Sequence, residues 1–338
     1  LTADPEKEEA FLMMIVVLNR QGRHADAIEL VRGKLPYAQN RERYQDLYVG
    51  ILDAAKRHLE AVDWVESLLA EFMNAVAAAQ DMQRRRPPQP ITPDRLALRP
   101  NEPNTSPQME NRLIRLRQEL VSQLVAAKKF RDAESQVREW LEDARNPESR
   151  YEYLLTLAQC QREQGDELGA FEAVEMALAF HPEHVTLNND VAYGLVERGT
   201  RLDEAERMIR YSLSREPRQM AYLDTFGWLR YKQGEFVEAR KWLERASRSG
   251  PRADPVVLDH LGDACWRAGD FQTAIQHWSA ALTALKDGKK KEWTAEEKRV
   301  ESTAQGKIDD VLASRTPTVA SLAAPEAEAT KERDNQGP

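Results

Sequence analysis

Shifted by about 35 residues, this chain matches itself, most clearly in three C-terminal segments. They read VTLNNDVAYGLVERGTRLDEAERMIRYSL from Val185, MAYLDTFGWLRYKQGEFVEARKWLERAS from Met220 and PVVLDHLGDACWRAGDFQTAIQHWSAAL from Pro255. A fixed period of that length specifies stacked two-helix units, each covering its neighbours, in place of one globular core. It also points function toward presenting an extended surface to another macromolecule and away from catalysis.

One unit shows how the pattern works. From Met220, Leu223 and Phe226 fall three apart and Gly227 follows, so a helical face carries bulk and then a gap that a second helix can approach. Gly234 ends this first helix, and Glu235 and Phe236 lead into the next. The second helix carries Ala239, Leu243 and Ala246 on one face, and Pro251 closes the unit. Leu258, Leu261, Gly262, Gly269, Ala274, Trp278 and Ala281 repeat the scheme. Each hairpin is apolar on both sides and is stable only when neighbours cover it.

On these residues the chain resembles the tetratricopeptide repeat (TPR) family, in a form common among bacterial proteins. The family's alternation of small and large side chains maps onto Leu223, Gly227, Ala239, Ala246 and Pro251. A further copy runs through Leu154, Leu157, Ala158, Gly165, Ala170, Ala177 and Pro182. In the copy from Val185, Ala192 replaces the glycine and one extra residue lengthens the turn from Gly199 to Leu202. Weaker copies are marked by Leu120, Phe130, Ala133 and Val137, and by Phe11, Met14, Gly22, Ala27 and Val31. Between them, Tyr44 to Leu69 keeps Leu52, Ala61, Val65 and Leu68 in register, with Lys56 where a turn glycine is usual. The resemblance implies an all-α, right-handed solenoid of about seven hairpins with a C-terminal capping helix.

The expected division follows. Two N-terminal hairpins occupy 1–82, and a Pro-rich linker or protruding loop occupies 83–109, where prolines cannot continue a helix. Five hairpins occupy 110–288 and a capping helix 289–313, with Val300, Ile308, Val311 and Leu312 available to cover the last hairpin. Residues 314–338 hold too little bulk to pack and read as a disordered tail.

Composition agrees with a long helical array: 31% of the 338 residues are charged and 41% hydrophobic. No apolar run reaches the roughly 18 residues that a bilayer span needs. Phe11 to Leu18 is the most apolar stretch, too short and too acidic at its flank for a signal peptide, and reads as the first helix of the first repeat. The chain opens on Leu1 and not on Met, as a processed or truncated product would. The compartment stays open between cytoplasm and a periplasmic or envelope-associated setting. Cys160 and Cys265 sit in first helices three repeats apart, beyond the roughly 7 Å that a disulfide bridges, and read as buried apolar fillers.

The resemblance places the partner groove on the first helices. Carried onto this chain, the groove positions are Asn189 and Tyr193, then Asp224, Trp228 and Tyr231, then Asp259, Asp263 and Trp266. Acidic and aromatic together, they suit an extended or helical peptide with basic and apolar side chains. The three aromatics could equally pack against the next hairpin. The cationic and amide clamp by which some family members hold a terminal carboxylate is not expected, because Asp224, Asp259 and Asp263 carry the opposite sign.

His181 and His184 flank a turn and read as turn residues, without the further Cys or His that a metal site needs. A net charge of −8 argues against nucleic acid despite the basic runs Arg84–Arg86 and Lys286–Lys291. No phosphate loop, nucleophile elbow or metal-ligand motif occurs, so neither an enzyme nor a cofactor is expected. The function expected is a scaffold or adaptor for protein partners within a bacterial assembly, which could be membrane-associated. Two other readings stay open: a substrate-recruiting region of a larger enzyme whose catalytic domain lies upstream, and a self-associating structural protein.

Overall fold

In the computed structural model of the protein, residues 5–38, 40–84, 107–144, 146–287 and 293–323 are described. Among them are fifteen α-helices and one 3-10 turn, with no strand. The chain forms two compact units, divided between Ala173 and Val174. The segment expected as a linker lies almost wholly outside the described residues.

The first unit holds α1 (Pro5–Arg20), α2 (His24–Lys34), α3 (Arg41–Ala54), α4 (His58–Arg84), α5 (Pro107–Ala126), α6 (Phe130–Asp143), α7 (Pro147–Glu163) and the start of α8 (Glu167–Leu178). Its seams are filled as the repeat pattern requires. Ala27, Val31, Leu52, Ala61, Val65, Leu68, Leu120, Ala133 and Val137 are all buried. Tyr48 meets Trp64 edge to face at 4.9 Å, a geometry that adds to the area both rings bury.

The register of α1 differs from expectation. Leu12 and Ile15 enter the core, while Met14 is 43% exposed and Met13 and Val17 also face outward. The helix runs FLMMIVVL with bulk on every side, so spacing alone does not define a buried stripe.

The second unit holds the end of α8, then α9 (Val185–Arg198), α10 (Leu202–Arg215), α11 (Met220–Lys232), α12 (Phe236–Ser247), α13 (Pro255–Arg267), α14 (Phe271–Asp287) and α15 (Ala295–Leu312). Helices α9/α10, α11/α12 and α13/α14 pack as sequential hairpins, and α15 lies on α13 and α14. Leu223, Ala246 and Val257 form one seam, flanked by Leu213, Met220 and Trp242.

The gaps read from the sequence are real, and large side chains fill them. A Cβ on Gly227 would stand 2.7 Å from Leu243 Cγ, and one on Gly262 would collide with the Trp278 indole. Bulk on the second helix therefore enters the space left on the first.

Each turn within a hairpin carries one residue in the left-handed region, except that between α9 and α10, where Gly199 and Arg201, φ 53°, both take it. Gly22, Gly165, Gly199, Gly234 and Gly269 take it with φ between 64° and 85°. Lys56 and Lys128 take it at 57° and 60°, where a side chain costs about 1 kcal/mol or more. Both thiols are buried and unbridged, and burial pushes each up to about 11, away from the reactive thiolate form.

Candidate functional site

The first helices α9, α11 and α13 share one face of the second unit, and the sequence-predicted groove residues converge there. Six of the eight are closed to solvent. Asp224, Trp228, Tyr231, Asp259 and Asp263 are buried, the last two completely. Asn189 is buried as well and accepts a hydrogen bond from Thr225 Oγ1 at 2.9 Å. Asp224 and Asp259, expected to line a groove open to a partner, are thus buried instead, and the reason lies in what covers them.

That cover is α15 and the residues after it. Thr294 and Glu297 form a capping box that starts α15. From its buried stripe of Val300, Ala304 and Ile308, Lys307 enters the face and places Nζ 2.8 Å from Asp259 Oδ1 and 2.6 Å from Asp263 Oδ1. Trp278 Nε1 also donates to Asp263 Oδ1, at 3.0 Å. Burial, with the Asp259 carboxylate alongside, pushes Asp263 above the usual carboxylate range against the pull of Lys307.

A second cluster continues from the first. His260 Nδ1 lies 3.1 Å from Asp224 Oδ1. The His260 ring stacks on Trp228 at 3.9 Å, and Trp228 stacks on Tyr231 at 4.4 Å. Trp228 Nε1 donates to the Glu197 carboxylate, and the buried Lys232 ammonium donates to the Glu197 carbonyl at 3.3 Å. Burial pulls the Lys232 ammonium down from its ordinary value. Tyr193 is half-buried, and burial beside Glu197 and Asp224 raises its hydroxyl. Trp266 stands apart, half-buried against Phe271 at 4.4 Å.

After α15 the chain turns at Ser314, φ 57°, and residues 315–323 run without regular structure across the C-terminal ends of α13, α11 and α9. Tyr231 donates its hydroxyl hydrogen to the Ala320 carbonyl at 2.6 Å, and Arg267 Nη2 reaches the same oxygen at 3.5 Å. The Ala320 N–H donates to Asp263 Oδ2 at 3.0 Å, and the Ala323 N–H to the Lys232 carbonyl at 3.2 Å. At the far end Ala323 sits on Gly199, where a Cβ would stand 2.9 Å from Ala323 Cα. This covering strap belongs to the segment read from sequence as a tail with too little bulk to pack. It is held through main-chain atoms, which hydrophobic content does not report. Residues 324–338 lie outside the described residues.

Burial and the Asp263 charge push Tyr231 up to about 12, so its hydroxyl stays protonated and a donor at neutral pH. Asp263 thus accepts from the N–H, and Tyr231 and Arg267 donate to the C=O, of one residue, Ala320.

No family model matches the chain. A TPR repeat-containing protein of Pseudomonas aeruginosa is 32% identical over 90 residues, which are 27% of this chain and 15% of that protein. The match therefore spans well under two thirds of the relative's length. Among solved structures, a tetratricopeptide repeat protein from Parabacteroides merdae has a TM-score of 0.50 at 14% identity, covering 87% of this chain and 97% of its own. The chain has the tetratricopeptide-repeat fold. PilW, a type IV pilus biogenesis factor, has a TM-score of 0.47 at 19% identity, covering 67% of this chain and 92% of its own.

Within these TPR hairpins, sequence reasoning named most of the face but missed His260, Lys307, Lys232 and Arg267. Lys307 carried a signal. Val300, Ala304, Ile308 and Val311 mark one helical stripe, and a lone lysine on that stripe needs a buried carboxylate. The first unit offers a separate cleft, between α4, α5 and α6, where Arg117 lies over the Trp140 and Tyr153 rings at 5.0 and 5.5 Å.

Proposed function

We propose that the protein is an interaction scaffold whose α9, α11 and α13 face holds a non-helical segment of a protein partner. One observation carries the reading: residues 315–323 already lie on this face, fixed by the N–H and C=O groups of Ala320 and the N–H of Ala323. Main-chain contacts of this kind supply affinity with little demand on side-chain identity. The Pseudomonas relative supports a bacterial setting, and the repeat architecture supports a role in a multiprotein assembly.

The partner chemistry differs from a simple basic peptide. Asp224 is engaged by His260, and Asp259 and Asp263 by Lys307. Their charges are largely matched inside the chain, and the atoms turned toward a bound segment are Tyr231 Oη, Asp263 Oδ2, the Lys232 carbonyl and the Arg267 guanidinium.

The test is affinity capture from native lysate with two full chains that both carry Ala320→Pro, so that the strap competes less for the face: one otherwise unchanged, taken as the parent, and one with Tyr231→Phe/Arg267→Ala. Two hydrogen bonds worth about 1 kcal/mol each correspond to a loss of at least tenfold. At least one protein recovered by the parent should fall by that factor. Equal recovery of every protein by both would overturn the reading.

A further inference from the structure

The second unit carries two successive covers of unequal character. α15 is locked: Lys307 is 4% exposed between two fully buried carboxylates, and Val300 and Ala304 are wholly buried. The strap is laid on. Of residues 315–323 only Pro317 is buried, and Leu322 is 42% exposed. Segments with few buried apolar contacts occupy the low end of a protein's local stability and open without the rest.

The break between the two covers is sharp. Ser314 leaves α15 in the left-handed region, and the Arg315 guanidinium returns to Asp310 at 2.8 Å, finishing the helix end independently of Thr316 and the residues after it. The strap can therefore lift from Thr316 onward while Lys307 keeps α15 in place.

We propose that residues 315–323 are a tethered self-ligand of the α9, α11 and α13 face, and that a partner peptide gains the face by displacing them. This rests on the reading of that face as a peptide site and adds its regulation. The partner is a peptide segment of small residues built like Val319–Ala323. One central residue gives its N–H to Asp263 Oδ2 and takes Tyr231 and Arg267 on its carbonyl, and a small residue three positions on meets Gly199. The bound backbone comes so close at that point that a Cβ on Gly199 would stand 2.9 Å from Ala323 Cα, so the face itself needs glycine there.

The tether sets the strength of the closure. A segment joined by a short chain faces its site at an effective concentration on the order of millimolar. A free peptide with the same contacts competes with that concentration, so the intact chain is a weak binder of the sequence it itself supplies.

The experiment uses the full chain and its Ala320→Pro variant, in which the strap loses the N–H that meets Asp263 while the face stays intact. The probe is a fluorescent peptide of residues 314–323, followed by anisotropy. The variant should bind it at least fivefold more tightly than the parent. Measurable binding with a smaller ratio would overturn the self-ligand and leave the peptide site standing. Binding to neither protein would overturn both. Sedimentation of both proteins checks the tether: a parent dimer that the variant dissolves would assign the strap to a second copy and refute closure within one chain. Ala323→Pro removes the other strap N–H and repeats the comparison if Ala320→Pro folds poorly.

Discussion

α15 is fixed to the second unit by side chains, and residues 315–323 are fixed to it by main chain. The helix buries an ammonium between two carboxylates and three apolar residues around it. The strap buries one proline and exchanges hydrogen bonds at two alanines. Side chains specify a single register and are costly to remove once buried. Backbone contacts accept many sequences and are lost one at a time. One stretch of chain thus supplies a permanent end cap and, directly after it, a replaceable cover.

The contrast breaks first at Lys307. Lys307→Ala leaves Asp259 and Asp263 buried with their main counter-charge gone, and such a deletion costs about 3–5 kcal/mol. A fall of that size in stability by urea titration is expected, with α15 released. A loss below about 1 kcal/mol would mean that the ion cluster does not hold the cap.

A smaller effect belongs to the pair beneath. Burial pulls the His260 imidazole down, but the Asp224 carboxylate at 3.1 Å, with Glu197 beyond it and against Arg299, leaves it above its ordinary value of 6.5. A folded value above the unfolded one stabilises fully below about pH 6.5, and that contribution is lost as pH rises through the folded value. Asp224→Asn should therefore cost more stability near pH 5.5 than near pH 8.5. A deficit that grows with pH would show that the pair is held neutral.

The same contrast explains what was legible from sequence. Hairpins, turns and seams could be read because each rests on residues within one or two repeats: Gly234 ends a helix, Gly227 admits Leu243, and Lys56 marks a turn despite lacking glycine's freedom. Lys128 holds an equivalent turn without a distinguishing local sign. The face could be read as a set of positions, since Asp224 and Asp259 recur one period apart. Its burial could not, because the covering residues lie outside the repeat. Lys307 reaches Asp259 from 48 residues away and Ala320 reaches Asp263 from 57. The α1 register was ambiguous for a different reason: with bulk on all sides, tertiary packing and not spacing decides that Leu12 and Ile15 turn inward.

The smallest effect on stability should come from the strap. Ala320→Pro removes one hydrogen bond and no buried apolar side chain, a change of about 1 kcal/mol or less. Its urea midpoint should stay close to the parent's, while the Ala323 amide, which donates to the Lys232 carbonyl, exchanges with deuterium faster and the amides of α13 are unchanged. Such a split would separate the two covers energetically, one belonging to the fold and the other to its regulation. A drop approaching that of Lys307→Ala would instead make the strap part of the cap, and the face behind it a core seam that no peptide could enter without unfolding the end of the array.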